Sequence, residues 1–270
     1  MSTRDYERYK AYSEYSFESS GFKKLDYIVE SIQTLNAGAP MQILELGCGN
    51  GNISTVLASF GHEVLGIDLS EDCIEYAASL KDKYNLNNLH FERGNASEIQ
   101  RLGQSFDAVI CSEVLEHSYD PMSILSAVHA VLKHDGILIV TVPNGYGPWE
   151  VSMKAARKLR GLILSNEHIT SLYTSLSQYI VPREADIQSV NTGGEGSSHV
   201  QFFTKKSLTR LFETTGFKII NSGSSDFLSG TLLFGTVIRK SELLSRIDFA
   251  LADALPSGVV SGWYFTLQYL

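Results

Sequence analysis

The chain has 270 residues, of which 43% are hydrophobic and 19% charged, so it can bury a large core and is not of the disordered class. Its formal net charge of −8 argues against a general nucleic-acid-binding protein, whose phosphate contacts require a basic surface. The polar N-terminus lacks the apolar core of a signal peptide, and the apolar run at 228–238 is too short to span a bilayer as a helix. We therefore expect a cytoplasmic protein.

The chain begins with a tyrosine-rich segment. Tyr6, Tyr9, Tyr12 and Tyr15 recur every third residue, which predicts a helix with one aromatic face. This face either packs on the domain or closes over a bound cofactor. We assign residues 1–36 to an N-terminal helical cap.

Strand-like and helix-like segments then alternate. Continuous apolar runs predict strands at 42–46, 63–67, 89–92, 106–111 and 137–142. Helices are predicted between them at 52–60, 70–84 and 121–132, with Ser70 as the cap of the second. Continuous rather than alternating apolar runs are typical of a parallel sheet covered on both faces. Right-handed crossovers between such strands give a doubly wound α/β fold.

The alternation stops after Val142. A loop is followed by a roughly fifty-residue insertion that ends near His199, and connections of that length in a compact domain are usually lids or binding loops. Helices at 204–214 and 242–255 and strands at 217–220 and 262–268 then resume the pattern. We expect a cofactor-binding half at 37–145, an inserted lid at 146–200 and a second half of the same domain at 201–270.

A glycine-rich turn follows the first predicted strand. Residues 45–51 read Glu-Leu-Gly-Cys-Gly-Asn-Gly, which differs from the G-x-G-x-x-G spacing that seats a dinucleotide pyrophosphate on a helix N-terminus. Glu45 would repel a pyrophosphate and attract an ammonium group. Asp68 directly follows the second strand, 17 residues after Gly51, where a carboxylate can accept both hydroxyls of a ribose.

Five segments together resemble the motifs of the class I S-adenosylmethionine (SAM)-dependent methyltransferases. They are residues 45–51, 66–70, 94–96, 106–117 and 132–138. The resemblance is close over 40–145 and holds in outline over 200–270. The Glu-Val-Leu-Glu-His run at 113–117 is most similar to the small-molecule branch that includes ubiquinone-biosynthesis O-methyltransferases, and the closing run at 255–265 resembles methyltransferases of surface glycans or sugars. The family fold is Rossmann-like, with a mostly parallel seven-stranded sheet, and here a lid after strand five.

The resemblance implies which residues hold the amino-acid end of SAM. Gly47 and Gly49 would lie under the methionine part, and Glu45 would act through water or the backbone near its amino group. The backbone at Ser112 and Glu113 would help to hold the same end.

It also implies an adenosine site. Asp68 would bind the ribose hydroxyls, Leu69 would pack against the adenine face, and Asn95 and Ala96 would bound the adenine. The family has an aspartate where this chain has Asn95, whose amide oxygen can still accept from the adenine amino group.

Two of the seven histidines are candidates for a catalytic base that takes a proton from the acceptor. His117 follows the fourth strand, at the edge where an open α/β sheet forms its crevice, and His199 ends the insertion. Four others are interpreted as structural residues at surface or crossover positions: His62, His90, His129 and His134. No metal site is predicted, because the three cysteines fit no zinc spacing and are expected to be buried thiols: Cys48, Cys73 and Cys111.

The sequence therefore predicts methyl transfer from SAM to a small-molecule or glycan-type acceptor, by O-methylation and without nucleic acid. A basic stretch at 154–160 is either a solvated helix face or a contact for a phosphate, a nucleotide sugar or an anionic membrane surface. Two alternatives stay open: a non-catalytic module that keeps the fold, and an NAD-dependent oxidoreductase, which the glycine spacing disfavours. A nucleic-acid methyltransferase is disfavoured by the acidic charge and by the lack of an Asn-Pro-Pro-Tyr-type run after strand four. The oligomeric state is not predicted.

Overall fold

The computed structural model describes residues 3–13, 20–36, 38–148, 151, 199–229, 231, 235–238 and 241–270. Three earlier predictions fall outside these residues: the basic stretch at 154–160, most of the inserted lid, and Tyr15 of the tyrosine stripe.

Seven strands form one sheet in the order β3-β2-β1-β4-β5-β7-β6. Their bounds are β1 Gln42–Leu46, β2 Glu63–Asp68, β3 Leu89–Arg93, β4 Phe106–Ser112, β5 Leu132–Pro143, β6 Phe217–Ser224 and β7 Gly262–Tyr269. Neighbours are parallel except at β7, which runs antiparallel to both β5 and β6. The predicted doubly wound, mostly parallel seven-stranded sheet is confirmed. The strand order reverses between β1 and β4, where open α/β sheets place their ligand crevice.

The helices alternate with these strands. They are α1 Thr3–Tyr12, α2 Ser20–Asn36, α3 Asn52–Ser59, α4 Glu71–Tyr84, α5 Pro121–Val131, α6 Lys205–Thr214, α7 Gly235–Ile238 and α8 Glu242–Ala254. Ser70 caps α4 as predicted, since its Oγ accepts from the Cys73 backbone N–H at 3.3 Å. Two short 3₁₀ helices, Ala96–Leu102 and Leu115–His117, were not predicted, because a turn of that length leaves no 3.6-residue periodicity.

Apolar layers cover both faces of the sheet. Along β1, Ile43 joins one layer and Leu44 and Leu46 join the other, because successive strand side chains point to opposite faces. The first layer is filled from α1, α2 and α3, and the second from α5, α6 and β7. This double cover fixes the strand ends that carry the candidate site.

The N-terminal cap packs on the domain. Tyr9 is 1% exposed, and its ring centroid lies 5.5 Å from that of Phe22 and 6.5 Å from that of Phe60. The ring of Tyr12 lies 5.0 Å from that of Tyr84. Tyr9 and Tyr12 therefore pack on the domain, which is the first of the two predicted alternatives.

The remaining cysteines and histidines that the sequence analysis named take buried, crossover or surface positions. All three cysteines are buried and free. Three of the four structural histidines are exposed: His90, His129 and His134. His62 lies in the crossover between α3 and β2, where its carbonyl accepts from Asn88 Nδ2 at 2.7 Å and the residue is 5% exposed. Burial lowers the pKa of His62. No helix among the described residues is long and apolar enough to cross a membrane.

Candidate active site

The glycine turn lies at the carboxyl end of β1, in the crevice at the switch point. Gly47 has φ 64° and Gly51 has φ 77°, a region that residues with a Cβ rarely adopt. A Cβ on Gly47 would come within 2.6 Å of Val114 Cγ2, and one on Gly51 within 2.7 Å of the Phe91 ring. The turn is therefore pressed against Val114 and Phe91, while Gly47 itself is exposed.

Asp68, at the end of β2, is tied to this turn. Its Oδ2 accepts from the Gly49 backbone N–H and its Oδ1 from the Ser70 backbone N–H, both at 2.9 Å. An ionised carboxylate offers about four acceptor positions, so each oxygen keeps one for a further donor. Asp68 is half-buried. A vicinal diol such as that of a ribose matches these two remaining positions.

Glu45 is placed under the turn rather than on its open side. Its side chain is buried and accepts a hydrogen bond from the Ser54 hydroxyl of α3. Burial raises the pKa of Glu45 to about 8, so the carboxyl is mostly neutral at pH 7. A mostly neutral Glu45 would repel a pyrophosphate only weakly. The evidence against a dinucleotide is therefore the glycine spacing.

The end of β4 is held by the neighbouring strand β5. Glu113 adopts φ 56°, donates its backbone N–H to the Thr141 carbonyl at 3.0 Å, and accepts from Thr141 Oγ1 at 2.8 Å. Ser112 Oγ lies 2.9 Å from the same Thr141 hydroxyl. A non-glycine residue at positive φ is uncommon and clusters at functional sites. The backbone at Ser112 and Glu113 is thus fixed at the crevice, as a binding role requires.

The predicted adenine contacts lie at the ends of β2 and β3. Leu69 is 65% exposed beside Asp68. Asn95 caps the 3₁₀ helix that follows β3: its Oδ1 accepts from the backbone N–H of Ser97 at 3.1 Å and from the Ser97 hydroxyl at 3.0 Å. The amide oxygen that was expected to accept from adenine is therefore already engaged, and Asn95 offers its amide donor instead. Ala96 is half-buried in the first turn of the helix.

Both candidate catalytic histidines lie together at the end of β4. The ring centroids of His117 and His199 are 5.1 Å apart, although the residues are 82 positions apart in the chain. The segment that carries His199 is held there because the Glu116 carbonyl accepts from the Val200 and Gln201 backbone N–H groups at 2.9 and 3.0 Å.

Glu116 was missed by the sequence reasoning. Its side chain is 1% exposed, and its Oε1 lies 3.9 Å from His117 Nε2. One ligand-type atom from each of Glu116, His117 and His199 lies within 4.8 Å of the others, and we call these three residues the Glu–His–His cluster. Burial, and then the negative charge of Glu113, raise the pKa of Glu116 well above its usual range. The only sequence signal was an acid next to a histidine just after a buried strand.

A separate cleft of about 410 Å³ lies at the opposite edge of the sheet, lined by Met41, Asp107 and Lys133 among others. Asp107 and Lys133 form an ion pair of 2.9 Å there. None of the predicted site residues lines this cleft, so the candidate site is the crevice at the switch point.

Comparison with known proteins identifies the family of the chain. The family model described as a methyltransferase domain matches residues 38–216, about two thirds of the chain. The chain belongs to the class I SAM-dependent methyltransferases. The match includes the glycine turn, Asp68 and the whole Glu–His–His cluster of this methyltransferase.

The chain is similar to curated methyltransferases. The ubiquinone biosynthesis O-methyltransferase of Ruegeria sp. (strain TM1040) is 33% identical over 129 residues, which are 45% of this chain and 52% of that protein. The one from Colwellia psychrerythraea (strain 34H) is 31% identical over 157 residues, 56% and 62% of the two chains. The chain thus spans about half the length of the first of these relatives.

The fold of the methyltransferase also matches solved structures. Magnesium protoporphyrin IX methyltransferase from Synechocystis PCC 6803, with bound SAH, aligns with a TM-score of 0.56 at 15% identity and covers 98% of this chain and 95% of that one. A SAM-dependent methyltransferase from Archaeoglobus fulgidus aligns with a TM-score of 0.54 at 14% identity, over 92% and 94% of the two chains. At these identities the likeness concerns the fold alone.

Proposed function

We propose that the protein transfers the methyl group of SAM to a hydroxyl of a small molecule. The observation that carries this proposal is that the glycine turn with Asp68 and the Glu–His–His cluster lie at the same edge of the sheet. Val114 packs on Gly47 and directly follows Glu113, so the two groups of residues adjoin. One can hold a nucleoside and the other can face a reacting hydroxyl.

The residues present fit SAM. Asp68 keeps one acceptor position on each oxygen for the ribose hydroxyls. Leu69 exposes an apolar side chain that suits an adenine face. The fixed backbone at Ser112 and Glu113, together with the turn at Gly47 and Gly49, would hold the amino-acid end.

The protein supplies little of the covalent chemistry of this reaction. SAM supplies a methyl group activated by its sulfonium, and the carbon–sulfur bond breaks with its electron pair left on sulfur as the new carbon–oxygen bond forms. The hydroxyl must lose its proton, which leaves to the Glu–His–His cluster and then to solvent. The chain's own tasks are to align the two reactants and to exclude water.

The acceptor side favours a planar molecule. Tyr119, Tyr146 and Phe202 follow β4, β5 and His199 respectively, and they are 87%, 60% and 47% exposed. The ring centroid of Phe202 lies 6.5 Å from that of His199, and exposed aromatic side chains can stack on an aromatic ring. The relatives are named ubiquinone biosynthesis O-methyltransferases, which supports O-methylation of a small molecule. We propose an aromatic hydroxyl, such as a phenol or catechol, as the acceptor in preference to a glycan-type hydroxyl.

We propose the cytoplasm as the compartment of the protein, because its three buried thiols form no disulfide and suit a reducing environment.

Methyl transfer from SAM labelled in the methyl group tests this proposal. Purified protein is incubated with separate pools of catechols, simple phenols and sugars, and labelled product is identified by mass spectrometry. We expect label on the oxygen of a catechol or phenol, and a large loss of transfer in Asp68→Ala at low SAM concentration. Binding of SAM without label in any pool would instead favour the non-catalytic module. Label on sugars alone would overturn the aromatic acceptor.

A further inference from the structure

Asn144 directly follows β5 and is a buried polar residue at the start of the loop 144–148. It is 3% exposed. Its Nδ2 donates to the carbonyls of Gly258 and Val260 at 3.0 and 2.8 Å, and its Oδ1 accepts from the Tyr146 backbone N–H at 3.0 Å. Both amide hydrogens and the amide oxygen of Asn144 are thus engaged in hydrogen bonds to the backbone.

The backbone of the turn 144–147 is held against the segment that leads into β7. The Asn144 N–H donates to the Ser261 carbonyl, and the Gly147 N–H donates to the Asn144 carbonyl, both at 2.8 Å. A Cβ on Gly147 would come within 2.8 Å of the Val260 carbonyl oxygen. The turn and this segment are therefore in close contact, and the Asn144 side chain links them.

A second contact joins the turn to the segment that carries His199. The Gly145 backbone N–H donates to the Phe203 carbonyl at 3.3 Å, and a Cβ on Gly145 would come within 2.8 Å of Phe202 Cα. The Phe202 ring centroid lies 6.5 Å from that of His199. The turn therefore adjoins the acceptor side of the crevice through the Phe202 backbone, and it carries Tyr146, which is 60% exposed.

We propose that Asn144 is a positioning residue for the methyl acceptor. Its amide holds the turn 144–147 in one place against the segment before β7, so that Tyr146 and Phe202 form one wall beside His199. Asn144 acts through this turn rather than on the acceptor itself. A buried polar group whose hydrogen bonds are all made specifies one arrangement of the chain around it. Methyl transfer needs such a fixed wall, because the reacting atoms must be closely aligned.

This role rests on the proposed function, and Asn144→Asp tests it with a nearly isosteric change. The new carboxylate can still accept from the Tyr146 N–H, but it has no hydrogen to donate to the Gly258 and Val260 carbonyls. The turn should then separate from the segment before β7. We expect KM for the acceptor to rise by about tenfold or more, since a misplacement of about 1 Å can cost a hundredfold. KM for SAM should not change, because the glycine turn and Asp68 are left as they are.

Asn88→Asp is the matched control. Asn88 Nδ2 also donates to two backbone carbonyls, those of Ala58 and His62, at 2.8 and 2.7 Å. Asn88 precedes β3 at the amino end of the strand, whereas the crevice lies at the carboxyl ends. Each variant leaves two carbonyls without their donor, so urea denaturation should show a loss of stability in both. Only Asn144→Asp should also change KM for the acceptor, which a purely structural asparagine would not do.

Gly145→Ala perturbs the same wall from its other side, should Asn144→Asp fail to fold. The added Cβ would displace the Phe202 backbone. We again expect a raised KM for the acceptor with an unchanged KM for SAM. SAH calorimetry on each variant shows whether it is folded.

Two readouts keep the possible failures apart. A wild-type KM for the acceptor in folded Asn144→Asp, or kinetic changes that Asn88→Asp shares, would overturn the positioning role. Wild-type protein that transfers methyl to no acceptor would refute the proposed function. Calorimetric binding of catechol to the SAH-loaded protein then decides the positioning role without turnover. Weaker catechol binding in Asn144→Asp than in the wild type and Asn88→Asp would support it, whereas equal binding in all three, or none in any, would overturn it.

Discussion

The two sides of the crevice are built in different ways. On the cofactor side, Asp68 and the glycine turn lie within 25 residues of one another in sequence (45–69), and both Asp68 oxygens accept backbone hydrogen bonds. On the acceptor side, Glu116 and His117 meet His199 across more than 80 positions, and Glu116 has no hydrogen bond to its carboxylate within the described part of the chain. The cofactor side is thus built from local hydrogen bonds, whereas the acceptor side depends on contact between segments that are distant in sequence.

The largest expected effect separates the two sides kinetically. His199→Ala should lower kcat by about 10²- to 10⁴-fold, the usual contribution of a group that removes a proton, and leave KM for SAM unchanged. Asp68→Ala should instead act mainly by raising KM for SAM. Initial-rate kinetics provide the measurement, with an acceptor found by the labelled-SAM assay. If both variants changed the same kinetic parameter, the data would contradict separate roles for the cofactor side and the acceptor side of the crevice.

A second prediction concerns the buried acid of the cofactor side. The pKa of Glu45 rises from its ordinary 4.5 to about 8 in the folded chain, so between these pH values the unfolded chain has released a proton that the folded chain retains. The free energy of unfolding should therefore fall as pH rises through this window and level off above pH 8.

Glu45→Gln lacks this titration. Its free energy of unfolding relative to the wild type should rise by on the order of a few kcal/mol between pH 5 and pH 8, measured by urea denaturation. Glu63→Gln, exposed at the start of β2, is the control. Parallel pH profiles for wild type and Glu45→Gln would show that Glu45 is not protonated under the turn.

A smaller effect concerns the packing of the glycine turn. Gly51 and Gly103 have φ of 77° and 62°, so a Cβ is strained at either, but only at Gly51 would it meet Phe91 at 2.7 Å and Ala77 at 3.1 Å. Gly51→Ala should therefore lose about 1–3 kcal/mol more of the free energy of unfolding than Gly103→Ala, the cost of overpacking. Equal losses in urea denaturation would mean that the turn is not pressed against β3.

Much of the fold could be predicted from the sequence because its signals are local. Buried parallel strands appear in the sequence as apolar runs, and Ser70 is a typical helix cap. The glycine turn and Asp68 are also close together in the chain. The state of Glu45 could not be predicted, because its protonation depends on burial under α3. His62 shows the same limit, since a histidine in a turn gives no sign of the chain that folds over it.

The acceptor side shows the limit more clearly. His117 and His199 were singled out separately, yet nothing in the sequence indicates that their rings lie 5.1 Å apart. Glu116 was not singled out, because the hydrogen bonds from its carbonyl to the Val200 and Gln201 backbone N–H groups form only in the folded chain.

Calorimetric binding of SAH to wild type, Asp68→Ala and His199→Ala tests the central assignment most directly. We predict micromolar binding by the wild type, binding weaker by about 1–3 kcal/mol in Asp68→Ala, and wild-type affinity in His199→Ala. A folded wild-type protein that does not bind SAH, or an Asp68→Ala variant that binds it equally well, would contradict the assignment of this crevice.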